Sequence, residues 1–185
     1  MKKLILFSGL IAAMLVLVVA VNAQTPNFAG TWNLDKAKSQ GLSPRMQGAD
    51  KVTWTITQDD KTISIDQKVE GGQPAAGNMG GGDRMGGGGG RGPAGPQSYN
   101  LDGKETTSDI AFGPNTAKLT TKATGSPTAL ELLRKTAFTP QDGSERVSTT
   151  TQKLTLSGDG KTLTAAVHSE GGRNAGDSTL VFTKQ

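Results

Sequence analysis

The chain has 185 residues, with 20 basic and 16 acidic side chains, one histidine and no cysteine. Disulfides, thiolate metal sites, cysteine nucleophiles and lipid attachment through cysteine are therefore excluded, and one imidazole cannot supply a multi-histidine metal site or a histidine relay. Aromatic residues make up only 4%, so a core must be built mainly from Leu, Ile, Val and Ala.

Met1-Lys2-Lys3 leads into an apolar run from Leu4 to Val21, and Val21-Asn22-Ala23 suits a small-residue cleavage site. Residues 1–23 read as a secretory signal peptide. The competing reading is an uncleaved membrane anchor, because the run is near the lower limit for crossing a bilayer. Cleavage would start the mature chain at Gln24 and leave it periplasmic or extracellular, with no stable membrane insertion. It would remove two lysines and no acids, leaving 18 basic against 16 acidic residues over 162 positions. That balance, with charges alternating in sign, gives no ground for a nucleic-acid partner, and residues 24–185 fit a single domain.

Phe28-Ala29-Gly30-Thr31-Trp32-Asn33-Leu34 opens the patterned part of the chain. On an extended strand Gly30, Trp32 and Leu34 share one face, which turns the indole inward. This Gly-x-Trp strand resembles the signature of the lipocalin-like barrels, and the following Asp35-Lys36-Ala37-Lys38-Ser39 is similar to bacterial exported members of that group. The resemblance implies that Trp32 plugs the closed end of a barrel while a cation near the end of the last strand packs across it. Lys184 stands where the family usually carries Arg, and the family's Thr-Asp-Tyr motif has no counterpart here.

Gly41-Leu42-Ser43-Pro44 marks a loop. Val52 to Thr57 alternates strictly, with Val52, Trp54 and Ile56 on one face, and Thr62 to Asp66 returns with Ile63 and Ile65 inward, so the pair reads as an antiparallel hairpin. Residues 70–98 break the pattern. They are dominated by glycine, with Pro74, Pro93 and Pro96, and read as a disordered low-complexity loop, since so little apolar surface cannot offset the entropy of ordering many glycines. Strand character resumes at Ser98, which makes the segment a loop inside one domain.

Ser98 to Leu101, Asp102-Gly103 and Lys104 to Ile110 read as a further hairpin. Asn115 to Lys122 alternates, with Ala117, Leu119 and Thr121 on one face. Ala129 to Thr139 has helical propensity at its start, but it lies between Pro127 and Pro140 and ends in Thr136-Ala137-Phe138-Thr139, which favours a strand. Arg146 to Ser157, Lys161 to His168 and Ser178 to Thr183 complete the strands. Trp54–Ser64 and Leu154–Thr164 echo one another in character, either by duplication or through convergent turn chemistry.

Catalytic candidates do not assemble. Gly160-Lys161-Thr162 lacks the leading glycine and the helix of a phosphate loop, Asp102 and Asp159 lack the spacing of a calcium loop, and His168 lies opposite the apolar Leu163, Ala165 and Val167. No cofactor, metal site or catalytic residue is implied. Arg134 is the outstanding polar candidate, because it follows Leu132 and precedes Phe138 on one face, and an inward guanidinium needs a partner. A ligand carboxylate or phosphate, a structural acid, or water at the barrel mouth would each serve.

The expected architecture is all-β, an antiparallel up-and-down barrel of eight to ten strands interrupted by the Gly-rich loop. Its expected function is binding of a small hydrophobic or amphipathic ligand without catalysis. Trp54, Ile56, Ile63, Ile65, Leu132, Arg134 and Phe138 are the candidate lining, with Gly30, Trp32 and Lys184 as the structural signature. The rival is an envelope protein with a filled core that meets a protein or surface partner through its Gly-rich loop or Thr-rich faces. Low aromatic content favours the rival, since ligand pockets draw on large apolar side chains.

Overall fold

The computed structural model describes residues 26–71, 95–112, 115–126, 128–140, 143–171 and 175–185. The segment expected to be a signal peptide and most of the Gly-rich stretch lie outside these residues. Ten strands form one antiparallel sheet: β1 (Gly30–Leu34), β2 (Lys51–Gln58), β3 (Thr62–Glu70), β4 (Gln97–Asn100) and β5 (Thr106–Phe112), then β6 (Asn115–Gly125), β7 (Ala129–Phe138), β8 (Arg146–Leu156), β9 (Thr162–Glu170) and β10 (Gly176–Lys184). The spatial order is β4-β3-β2-β1-β10-β9-β8-β7-β6-β5, so pairing of β1 with β10 rolls the sheet into a nearly closed up-and-down barrel. The open seam lies between β4 and β5.

Period-two alternation fixes which side chains enter the barrel. On β2 and β3, Val52, Trp54, Ile56, Ile63 and Ile65 are buried between exposed or half-buried neighbours. Leu130 and Leu132 of β7 lie inward with no exposed surface, which settles Ala129–Phe138 as strand. Helical propensity loses there because both flanks pair, with β6 and with β8, along the whole segment. The largest fully buried side chains include Trp32, Tyr99, Phe28 and Phe182, and Trp54 stacks on Phe182 with ring centroids 4.4 Å apart.

The signature residues of β1 act together. Trp32 pairs with Lys184 across β1 and β10, and the Lys184 ammonium sits 5.2 Å from the indole centroid. The Trp32 indole N–H donates to the Phe28 carbonyl at 2.9 Å. Gly30 adopts φ +141°, and a Cβ there would lie 2.9 Å from Lys184 Cε. Glycine therefore lets the lysine stem cross to the ring.

Two expectations are corrected. The stretch after Leu42 contains a one-turn helix, α1 (Pro44–Gly48), capped by Ser43 accepting from the Met46 N–H with Pro44 in the first turn. Ser-Pro is a helix-start signal, and Lys36 secures the other end by donating to the carbonyls of Ala49 at 2.6 Å and Gln47 at 3.3 Å. Asp102-Gly103 does not close a hairpin: β4 pairs only with β3 and β5 only with β6. The Leu101 N–H is taken by the Lys61 carbonyl and the Lys104 N–H by the Asp102 carboxylate, so the chain leaves β4 toward the β2–β3 turn and β5 starts elsewhere.

β3 and β4 pair as antiparallel neighbours from Thr62–Asn100 to Ile65–Gln97, so the Gly-rich stretch joins adjacent strands of one sheet. Its expected bounds shift at both ends, since Glu70 closes β3 and Gln97 opens β4. The two echoing hairpins share the burial pattern of β3 and β9 position by position, but their registers differ by two residues. A three-residue connection, 59–61, joins β2 to β3, whereas five residues, 157–161, join β8 to β9.

Candidate functional site

Inward polarity changes abruptly along β7. Leu130 lies beside Leu154, and Leu132 lies between Ala123 and Gln152, with Leu130, Leu132, Leu154 and Ala123 at 0% exposure. Two residues further, Arg134 takes the same inward face between Thr121 and Thr150, followed by Thr136 between Leu119 and Ser148. One end of the barrel is thus close-packed and apolar, while toward the other the inward rows carry hydroxyls around Arg134 and end on Arg146.

Arg134 opens on a cavity of about 360 Å³ at the seam. Its walls come from Gly95 to Ser98 and Asn100 on one side, and from Thr106, Ser108 and Ile110 of β5 with Leu119 and Thr121 of β6 on the other. The Asn100 amide donates to the Thr106 hydroxyl at 2.9 Å, a side-chain bridge where backbone pairing is missing. The Tyr99 hydroxyl donates to Gln97 Oε1 at 3.3 Å. Burial pushes the Tyr99 phenol up to about 12, against a smaller opposing pull from the Arg134 guanidinium. Tyr99 is therefore a neutral donor at any physiological pH.

The decisive feature is Arg134: it borders the cavity, and its Nε is buried with no hydrogen-bond partner among the described residues. A buried donor left unmatched costs about 1–3 kcal/mol, so such groups in folded proteins call for a physical reason. Among the described residues no carboxylate, imidazole or amine lines the cavity. A guanidinium at this position can hold and orient an anion. Among the described residues no cluster of His, Cys, Asp and Glu could hold a metal.

Of the seven lining candidates named from sequence, Arg134 alone borders this cavity. Trp54, Ile56, Ile63, Ile65 and Leu132 belong to the close-packed cluster, with exposures between 0% and 6%. Phe138 is half-buried near the end of β7, in register with Ala117 and Arg146. Gln97, Thr106 and Ser108 join the site without having been singled out. Thr121 was legible as inward from the alternation with Ala117 and Leu119, but the expected β4–β5 hairpin hid the role of Thr106 and Ser108.

Other polar features lie outside. A shallower hollow of about 390 Å³ runs between Asp60–Thr62 and Asn100–Asp102 on the surface, with no unmatched buried group. His168 is exposed on β9, as its alternation indicated, between Asp177 at 2.5 Å and Glu170 at 3.1 Å. Hydrogen bonding to Asp177, then to Glu170, raises its pKa above the usual histidine value.

No protein-family model matches the chain, and no curated protein matches it. Among solved structures it is similar to apo lipid binding protein 8 of Caenorhabditis elegans, at 11% identity and a TM-score of 0.46, over 85% of this chain and 95% of that one. It is also similar to a Schistosoma mansoni fatty acid binding protein in complex with arachidonic acid, at 13% identity and a TM-score of 0.44, over 85% and 96%.

Proposed function

We propose that this chain is an exported binding protein that holds a small amphipathic ligand, with an anionic group on Arg134, in the cavity at the β4–β5 seam. The observation that carries this reading is that Arg134, charged and without an acidic partner lining the cavity among the described residues, borders a cavity of about 360 Å³ while its Nε is buried and unmatched behind it. A carboxylate or phosphate in the cavity would accept charge-assisted hydrogen bonds from the guanidinium that borders it. Ile110 and Leu119 offer the ligand an apolar wall, and the hydroxyls of Thr106, Ser108 and Thr121 offer a polar one. Export rests on the signal-peptide pattern of residues 1–23.

The test is to purify the protein from the envelope or culture medium of the cells that make it, and to compare its mass under native and denaturing conditions. A discrete species lost on unfolding, and missing from Arg134→Met made in the same cells, is the expected result. An empty wild-type protein would favour the second reading, a filled-barrel protein that works through its surface. The observation favouring that alternative is the apolar half of the interior, where Trp32, Ile63, Leu130, Leu132, Leu154, Leu163 and Phe182 are all fully buried.

A further inference from the structure

From the shape and lining of the seam cavity we infer that its ligand is a short, hydroxyl-bearing anion of the acidic-sugar type, carrying either a carboxylate or a phosphate, and not a long-chain lipid. The inference rests on the reading of the cavity as a ligand site and concerns which class fits it.

Length is limited first. The row directly beyond Arg134 and Thr121 is Leu132 and Ala123, both without exposed surface, so the cavity ends on a packed floor. An acyl chain would have to displace that cluster, and close-packed interiors yield to added methylenes only at about 1–3 kcal/mol or more. About 360 Å³ is also near the lower end of small-molecule sites, roughly 300–1,000 Å³.

Chemistry limits the class further. Thr106, Ser108 and Thr121 line the cavity beside Arg134, and a hydroxyl can donate or accept, that of Thr106 already accepting from the Asn100 amide. Ligand hydroxyls would replace the water these groups hold, whereas a methylene chain would strip it without return. Ile110 and Leu119 form the one apolar wall, which suits the C–H face of a ring whose other edge is polar. The anion would meet the part of the Arg134 guanidinium that borders the cavity, and the charged group could be a ring carboxylate or a phosphate ester.

Four probes decide the matter by calorimetric titration into the full mature chain: glucuronate, glucose 6-phosphate, uncharged glucose and dodecanoate. We expect one of the two acidic sugars to bind, the carboxylate or phosphate source being told by which, and glucose to bind at least about tenfold more weakly. Arg134→Gln should weaken the acidic sugar by about 10–100-fold with no fall in melting temperature, and Thr121→Val should weaken it several-fold. Dodecanoate binding while both acidic sugars stay silent overturns the inferred class and leaves the cavity a ligand site. Equal binding by Arg134→Gln, or silence from every probe, also overturns the class. If the natively purified protein is empty as well, the ligand-site reading falls with it.

Discussion

Replacing Arg134 by methionine should make the protein more stable while abolishing what the cavity does. The Nε is buried without a hydrogen-bond partner among the described residues. Removing an unmatched buried donor relieves about 1–3 kcal/mol, and methionine keeps most of the packing of the arginine stem beside Thr121 and Thr150. Because the rest of the guanidinium faces a cavity open to water, the gain should fall near the low end, about 1 kcal/mol. For a domain of this size that is a rise of about 2–4 °C in Tm. Paired thermal and urea unfolding of wild type and Arg134→Met, without ligand, measures it. A fall in Tm of similar size would show that the guanidinium holds the barrel together, and would remove the ground for reading Arg134 as a ligand group.

Gly30→Ala should destabilise by about 1–3 kcal/mol, because alanine is strained at φ +141° and its Cβ presses on Lys184. Combining it with Lys184→Ala in a double-mutant cycle should give less than the sum of the single effects, and strict additivity would show that the two side chains do not meet. Leu132→Ala should cost about 2–5 kcal/mol in urea unfolding, since the fully buried side chain sits in the packed half, and a loss below 1 kcal/mol would mean that half is loose. The raised pKa of His168 means that Asp177 and Glu170 stabilise the fold fully below the ordinary histidine value of 6.5 and lose that effect as pH rises through the raised folded value. His168→Gln should flatten this part of a pH series of unfolding midpoints. Tyr99 is the only tyrosine, so ultraviolet titration reads it directly: ionisation should come near pH 12, with stability falling above pH 10 as the unfolded chain ionises first. A midpoint at 10 in the folded protein would place the phenol in water.

Strict alternation encodes part of this fold locally. Val52-Thr53-Trp54-Thr55-Ile56 and Thr62-Ile63-Ser64-Ile65 have one way to bury their apolar residues once extended, so strand, facing side and hairpin partner were all legible. Gly30, Trp32 and Lys184 were legible as a unit through resemblance, and the inward face of Arg134 followed from its spacing to Leu132. Which of these groups meet depends on long-range packing. Whether inward apolar residues line a hollow or pack together depends on how far the barrel's opposite walls stand apart, a distance that no local pattern carries, and here Trp54, Ile56, Ile63, Ile65 and Leu132 pack. The position of the seam was equally hidden. Asp-Gly favours a tight turn wherever it occurs, but the Lys61 carbonyl, some forty residues earlier in the chain, captures the Leu101 N–H and draws the chain away from a hairpin. The resulting gap between β4 and β5 brings Thr106 and Ser108 to Arg134, and it exists only because two strands adjacent in sequence fail to pair.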